Sequence, residues 1–256
     1  MNRRRDLLLT VLALGIAALP AASPYLFGEG LPRTNDALPH LYRVVALDRL
    51  VQAGPLWPRW SPDLVHGYGY PVFNFFPALS HWLVELLHLP GLGLTGAFRL
   101  AIFLHFWLAA AGAYFLGRAR FSAGAGWAAA IAYVYSPYLL YDAHVRGSLP
   151  ETQALALLPW LLLALWRSAD SGRRWIVLSA GIFAAMFLSH YGMMFQILLL
   201  TGLWLLALGW RRGWRALAGP FAGLALGVLL TAFFWLPALL EIGDTQAALS
   251  MSRGYG

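Results

Sequence analysis

The segment AFRLAIFLHFWLAAAGAYFLGRAR at 97–120 decides the fold class of this chain. Its apolar part, 97–117, has the length of a helix that crosses a bilayer, for which about 20 apolar residues suffice. The arginines that follow it, Arg118 and Arg120, are typical of a loop on the cytoplasmic side of a membrane. The segment therefore predicts a transmembrane helix and also the direction in which it crosses.

Further apolar stretches on both sides of this segment predict an all-α, polytopic membrane bundle of about seven spans. We predict the others at 7–26, 123–141, 152–167, 175–190, 193–209 and 216–236. The first stretch follows Arg3–Arg5 and resembles a signal peptide. Its apolar run is long for one, and Ala21-Ala22-Ser23 is a weak cleavage site, so we interpret it as an uncleaved span.

The composition agrees with a membrane protein. Of the 256 residues, 60% are hydrophobic and 11% are charged, which is about half the charge of a soluble domain. The sequence contains no cysteine, which excludes disulfides, zinc–thiolate sites and cysteine nucleophiles.

The arginines predict the orientation of the bundle, provided that the amphipathic stretch 71–89 does not cross. The loops after 97–117, 152–167 and 193–209 then lie on the same side as Arg3–Arg5. That side carries 11 arginines and 2 acids, whereas the other carries 7 arginines and 9 acids, as expected if the first is cytoplasmic. We predict an integral protein of a bacterial-type plasma membrane, with a cytoplasmic N-terminus and no nucleic-acid partner.

The stretch 71–89 is expected to lie on the outer surface of the membrane. His81, Glu85 and His88 share one face of a helix there. Their spacing is compatible with a metal site, but we interpret this face as solvated, on an interfacial helix.

The long first outer loop, 27–96, is predicted to contain interfacial helices, one of them over 37–52. Ionisable residues of both signs fall in this loop and at the other outer ends of the spans. They are Asp36, His40, Arg43, Arg59, Asp63, His66, Arg99, Asp142, His144, Arg146, Glu151, His190, Glu241 and Asp244. Such groups are costly near a membrane unless they are solvated, paired or functional, so they predict a polar cavity under the loop.

Several of these residues lie in short sequence motifs. The patterns are Asn35-Asp36-x-x-x-His40-x-x-Arg43, Pro58-Arg59-Trp60-x-x-Asp63, Gly67-Tyr68-Gly69-Tyr70-Pro71, Arg146-Gly147-Ser148-Leu149-Pro150-Glu151, Ser189-His190 and Trp235-Leu236-Pro237-x-Leu239-x-Glu241. Together they resemble the GT-C glycosyltransferase superfamily. More narrowly, they resemble the bacterial membrane proteins called "6-pyruvoyl-tetrahydropterin synthase-related", a name that does not describe their chemistry. The resemblance covers nearly the whole chain.

The resemblance implies a single transmembrane domain over 1–256 that transfers a sugar from a polyprenyl-phosphate-linked donor at the outer face. It implies that an acidic residue of the first outer loop, here Asp36, serves as the base or as a metal-associated carboxylate. Many relatives carry two adjacent acids there, whereas Asn35 and Ala37 flank Asp36 here. We therefore assign no cofactor, and a divalent metal at Asp36 stays open. The acceptor is not identified.

The remaining site residues are predicted from the chemistry of this transfer. A carboxylate can accept the proton of the attacking hydroxyl, and guanidinium groups suit the phosphate of the leaving group. We expect His40 to support Asp36, and Glu151 and His190 to complete the pocket. The predicted phosphate ligands are Arg59, Arg99 and Arg146.

Plainer interpretations remain for each residue. Asp36 is also suited to cap the helix over 37–52, Arg99 to extend toward lipid headgroups, and Arg146 to form a surface ion pair with Glu151. The alternative functions are a transporter or flippase for a lipid-linked or anionic solute, and a non-catalytic protein of the same fold. A transporter requires ionisable groups within the membrane, of which His105 is the main one. We also expect the chain to be truncated, with sequence continuing beyond Gly256.

Overall fold

The computed structural model describes residues 3–55, 57–170 and 172–245. These residues are helical apart from turns and loops, and they contain no strand, only a single antiparallel bridge between Ser61 and Tyr70. The all-α prediction is therefore confirmed for this part of the chain. The expectation about the end of the chain concerns residues that lie outside the described ones.

Twelve α-helices follow one another along the described part of the chain. They are α1 (Arg3–Leu26), α2 (Ala37–Gln52), α3 (Val72–Phe75), α4 (Leu79–His88), α5 (Leu94–Arg120), α6 (Ala123–Val134), α7 (Pro137–Tyr141), α8 (Leu149–Ser168), α9 (Arg173–Ser189), α10 (Met194–Arg212), α11 (Ala218–Leu230) and α12 (Ala232–Leu240). A π-helical turn, Asp142–Arg146, connects α7 to α8.

Four helical segments are long and apolar enough to cross a membrane, namely Arg4–Leu26, Leu94–Arg120, Leu149–Ser168 and Tyr191–Arg212. The segments Trp214–Leu230 and Ala232–Leu240, bent by 59° relative to each other, make a fifth if they count as one broken span. The structure therefore confirms a membrane bundle with four or five such segments. α9 has only 17 residues, about 26 Å of helix, which is shorter than a bilayer core of about 30 Å.

The predicted span 123–141 is not one continuous helix. α6 ends at Val134, and Ser136 has an extended backbone before α7 begins at Pro137. The residue before a proline is disfavoured in the helical conformation, which explains the position of the break. A span here would have to be formed by two short helices.

α5 lies at the centre of the bundle, where it packs against α1, α6 and α8, and α8 packs in turn against α9. α11 packs against α9 at Gly223 and Gly227 and against the end of α8 at Gly219, and these three glycines recur every four residues. A Cβ atom at Gly219 would lie 2.2 Å from the carbonyl oxygen of Ser168. Small residues thus allow the helix backbones to approach closely, as is typical of packing in lipid.

The stretch 71–89 forms two short helices, α3 and α4, and the ten residues of α4 are too few to cross a bilayer. The prediction of a solvated polar face was wrong, because His81 and Glu85 are both fully buried. α4 packs against α2 and α5, so neighbouring helices cover the face that the sequence pattern assigned to water.

Candidate functional site

The start of α2 lies against the π-helical turn Asp142–Arg146. The backbone N–H of Asn35 donates to the carbonyl of Val145 (3.1 Å), and the N–H of Asp36 donates to the carbonyl of Arg146 (2.7 Å). Gly147, which follows the turn, has φ +68°, and a Cβ atom there would lie 2.1 Å from Thr34 Oγ1. The absence of a side chain at Gly147 therefore allows the first outer loop to lie directly on the turn.

Arg146 holds two buried carboxylates at the N-terminal end of α8. Its Nη1 and Nη2 donate to Glu151 Oε2 (2.5 Å) and Oε1 (2.7 Å), and Nη1 lies 3.5 Å from Asp142 Oδ1. Asp142 is fully buried, and Glu151 is 4% exposed. Arg146 and Glu151 thus form the ion pair that the plainer interpretation expected, but the pair is not a surface one, since the bundle encloses Glu151.

Burial and the nearby charge of Glu151 raise the pKa of Asp142 to about 8. Two carboxylates beside one guanidinium would leave an unbalanced negative charge in a medium of low dielectric constant. Protonation of Asp142 removes that charge while Glu151 keeps its bidentate contact with Arg146. This group of residues therefore holds a proton near neutral pH.

His190 extends this group toward α9 and α10. Its Nδ1 accepts a hydrogen bond from the backbone N–H of Met193 (3.1 Å), so the ring proton of the neutral form is on Nε2. Nε2 lies 3.5 Å from Glu151 Oε1. Burial lowers the pKa of His190 despite the charge of Glu151, so the imidazole is neutral at pH 7.

Two further imidazoles, those of His40 and His81, form a pair between α2 and α4. His81 Nε2 lies 3.3 Å from His40 Nδ1, which also accepts from Arg43 Nη1 at 3.3 Å. Burial lowers the pKa of His40 to about 3, with further contributions from the charges of Arg43, His190 and Arg146. His40 is therefore an uncharged hydrogen-bonding group.

Phe76 connects the two groups of residues. The guanidinium carbon of Arg43 lies 4.1 Å from the centre of its ring, as in a cation–π contact. The rings of His40, His81 and His190 lie 6.0 to 6.5 Å from the same ring. We call these residues together the polar cluster: Asp36, His40, Arg43, Phe76, His81, Asp142, Arg146, Glu151 and His190.

Asp36 lies at the edge of the polar cluster and is partly exposed. It occupies the N-cap position of α2, but its side chain makes no capping hydrogen bond. Thr34 Oγ1 accepts from the N–H of Ala37 instead (3.2 Å), so the interpretation of Asp36 as a helix cap was wrong. No hydrogen bond or ion pair connects its carboxylate to another described residue, although its charge acts on Arg43.

Two of the predicted phosphate ligands lie outside the polar cluster. Arg99 donates from Nε to the carbonyl of Tyr25 and from Nη2 to that of Leu26 (2.8 Å), at the C-terminal end of α1. Arg59 donates to Asn74 Oδ1 (3.3 Å) and to the carbonyl of Phe233 (3.0 Å). Arg99 is therefore engaged by a helix end, and Arg59 joins the outer loop to α12.

An apolar pocket of about 790 Å³ borders the polar cluster. Tyr191, which stacks on His190 with 6.3 Å between ring centres, is part of its wall. Most of the wall is aromatic or aliphatic and comes from the outer loop, α9 and the region of α12. The other residues that line the pocket are Tyr70, Pro71, Phe75, Phe187, Phe234, Trp235, Ala238, Leu239, Ile242, Asp244 and Thr245.

The structure thus brings together some, but not all, of the site residues predicted from the sequence. The structure brings Asp36, His40, Arg146, Glu151 and His190 together with Arg43 and Asp142, which we placed in the polar cavity without a role. It adds Phe76 and His81, which we did not predict as site residues. The spacing of Asp142, Arg146 and Glu151 is a signal that could have identified the carboxylate pair. No sequence signal distinguishes His81 as buried, because its burial depends on helices distant in the chain.

The donor set does not fit a metal ion. Within the described ranges, no three side chains of His, Asp or Glu are arranged so that they could hold one together. Asp36 has neutral neighbours in the chain, Asn35 and Ala37, and no second carboxylate beside it. We derive no step that involves a metal.

The length and hydropathy of the helices define an integral membrane protein. The chain belongs to the family described as "6-pyruvoyl-tetrahydropterin synthase related domain; membrane protein", whose model matches residues 73–252. The matched region contains Asp142, Arg146, Glu151 and His190 but begins after Asp36 and His40. No curated protein and no solved structure matches the chain.

Proposed function

We propose that this protein is a glycosyltransferase of the GT-C type that uses a polyprenyl-phosphate-linked sugar as donor. The observation that carries the proposal is that an apolar pocket of about 790 Å³ adjoins the polar cluster, because Tyr191 in the pocket wall stacks on His190 of the cluster. A lipid-linked sugar has the same two parts, a polar head and an apolar chain.

The proposed orientation has the polar cluster at the outer face and the arginine-rich helix ends in the cytoplasm. Arg118 and Arg120 at the end of α5, and Arg211 and Arg212 at the end of α10, support it through the excess of arginine in cytoplasmic loops. We further propose that α6 with α7, and α9, complete the crossings, which makes seven with the broken pair α11–α12. The donor then reaches the site by lateral diffusion within the membrane.

Asp36 is the proposed base for the acceptor hydroxyl. Its carboxylate is partly exposed and has no hydrogen bond to another described residue, so it is available to a substrate. The backbone of Asp36 is held by the carbonyl of Arg146, which gives the carboxylate a defined position. His40, neutral at pH 7, supports the acceptor by hydrogen bonding rather than by charge.

The donor phosphate is proposed to bind between Arg43 and Arg146. Arg43 is held against Phe76, and Arg146 is fixed by Glu151, so both guanidinium groups are positioned before a ligand arrives. Such preorganisation reduces the entropy lost on binding. Arg59 and Arg99 are omitted from this set because they donate to backbone carbonyls, Arg59 to that of Phe233 and Arg99 to those at the end of α1.

Replacement of Asp36 tests the proposed base. Asp36→Asn should reduce sugar transfer about 100-fold or more, because general-base catalysis typically contributes 10²–10⁴. The assay uses membrane vesicles, a panel of labelled polyprenyl-phosphate sugars, and the full chain. Asp63→Asn is the matched control, since Asp63 lies in the same outer loop and pairs with Arg49 at the surface. Full activity of Asp36→Asn would remove Asp36 from the chemistry.

The transporter alternative has one observation in its favour. His105 lies within α5, is 1% exposed, and has no hydrogen-bond partner for either ring nitrogen among the described residues. Uptake of a solute by reconstituted vesicles, abolished by His105→Phe and unaffected by Asp36→Asn, would favour transport over sugar transfer.

A further inference from the structure

A second pocket lies at the opposite end of α8 from the polar cluster. It has a volume of about 280 Å³, and arginine and tryptophan side chains form much of its wall: Arg120, Trp166, Trp204, Arg211 and Arg212. Trp166 and Glu151 are about 22 Å apart along α8, at 1.5 Å per residue. The pocket is therefore separate from the site proposed for sugar transfer.

The pocket has an excess of positive charge. Arg212 is paired with Asp170 (2.5 Å), but neither Arg120 nor Arg211 forms an ion pair or hydrogen bond with another residue that the structure describes. The guanidinium of Arg120 instead lies 5.1 Å from the ring centre of Trp166 and 5.7 Å from that of Trp204. These contacts position the guanidinium without neutralising it.

Three buried hydrogen-bond donors of the pocket have no acceptor. They are Nε of Arg120 and the indole Nε1 atoms of Trp166 and Trp204, for which the described residues supply no partner. Trp166 is only 9% exposed, and a buried indole N–H normally finds an acceptor. Residues of three helices that line the pocket thus carry buried donors for which the described part of the chain supplies no acceptor.

Helix ends explain only part of this arrangement. Arg120 lies in the last turn of α5, and Arg211 and Arg212 lie in the last turn of α10, where the helix dipole favours cations. The dipole accounts for the positions of the arginines. It does not account for two indole N–H groups that are buried beside them without an acceptor.

We propose that this pocket binds a phosphate-bearing anion, supplied either by the headgroup of an anionic phospholipid or by a free phosphate compound. A phosphate group offers several acceptor oxygens and a negative charge, and it suits both guanidinium and indole donors. The excess positive charge favours a headgroup of net negative charge over a zwitterionic one. This proposal does not depend on the activity of the polar cluster.

The source of the phosphate is distinguished by calorimetric titration of the full chain in detergent. The probes are inorganic phosphate, dihexanoyl-phosphatidylglycerol and, as the zwitterionic comparison, dihexanoyl-phosphatidylcholine. We expect saturable binding of at least one of the first two, at least about tenfold tighter than that of phosphatidylcholine. If only phosphatidylglycerol binds, the ligand is a lipid headgroup. If inorganic phosphate binds with an affinity similar to that of phosphatidylglycerol, the ligand is a free anion.

Variants of the pocket test which residues bind the anion. Arg120→Gln should weaken binding about tenfold. Trp204→Phe removes the indole N–H but keeps an aromatic ring, so the variant should fold normally and still bind the anion severalfold more weakly. Arg118→Gln is the matched control, because Arg118 lies on the same helix and donates to Tyr114 Oη outside the pocket. The proposal is overturned if neither probe binds saturably, if phosphatidylcholine binds equally well, or if Arg118→Gln weakens binding as much as Arg120→Gln.

Discussion

The two ends of α8 use arginine in opposite ways. At the N-terminal end, Arg146 is bound by Glu151 and lies close to Asp142, so its charge is balanced by buried carboxylates. At the C-terminal end, Arg120 lies over indole rings and has no carboxylate partner among the described residues. The protein's own carboxylates neutralise the charge at the first end before any ligand binds, whereas the charge of Arg120 is not neutralised by a described carboxylate. The difference teaches that buried carboxylates fix a guanidinium and balance its charge, whereas indole rings fix it and leave its charge available to an anion.

The largest effect on stability is expected from removing the carboxylate that pairs with Arg146 at the N-terminal end of α8. Glu151→Ala removes the bidentate partner of Arg146 and should destabilise the fold by about 2 to 3 kcal/mol, because Asp142, which ionises more readily without the charge of Glu151, replaces only part of that contact. The expected loss is below that of a fully buried pair because 35% of the Arg146 side chain is exposed. Thermal unfolding in detergent measures the change.

Asp170→Ala is the matched experiment at the other end. Asp170 pairs with Arg212 but is about half exposed, and its removal should change stability by less than about 1 kcal/mol. Equal losses from the two substitutions would contradict the distinction between the ends.

A smaller loss is expected where the outer loop meets the π-helical turn. Gly147→Ala should cost about 2 kcal/mol, because the left-handed backbone is unfavourable for alanine and the new Cβ would overlap Thr34. Gly30→Ala is the control: Gly30 has a similar φ of +70° but has no atom within 4 Å of its Cβ position. Unfolding measurements on both variants separate the backbone strain from the contact. A Gly147→Ala variant as stable as Gly30→Ala would show that this contact does not hold the loop.

The smallest expected effect is a dependence of stability on pH that arises from Asp142, near the N-terminal end of α8. The pKa of Asp142 is raised in the folded state to about 8, so its contribution to stability is complete below about pH 4 and is lost as the pH rises through 8. Between pH 7 and 9 the protein should lose about 1 kcal/mol, and Asp142→Asn should reduce that loss. Arg120→Gln should leave it unchanged, since arginine does not titrate in this range. The same loss in Asp142→Asn as in the unsubstituted protein would assign the titration to another group.

The class of the fold was largely predictable, whereas the continuity and length of each helix were not. The apolar lengths at 97–117 and 152–167 correspond to helices α5 and α8, because hydropathy is a local property of the sequence. The broken helix at Ser136 and the 17 residues of α9 are departures that an apolar run alone does not reveal. An apolar stretch predicts that a segment lies in an apolar environment. It does not predict whether the segment forms one continuous helix.

The candidate site was predictable in its chemistry and less so in its membership. His40, Arg146 and Glu151 were predicted from patterns near the outer ends of helices, and they lie in one cluster. His81 was assigned to a solvated face and is buried, and Arg99 was assigned to phosphate but binds the end of α1. Both errors come from contacts between segments far apart in the chain.

By itself, the sequence determined that this protein is a helical membrane protein with ionisable residues concentrated near the ends of apolar segments, because hydropathy and charge are additive along a chain. Only the tertiary structure decided which of those residues meet. Whether a charge is balanced, as at Arg146, or left without a partner, as at Arg120, depends on the side chains that neighbouring helices place within a few ångströms of it. The energy of a buried charge is set by those few neighbours, and no local pattern in the sequence specifies them.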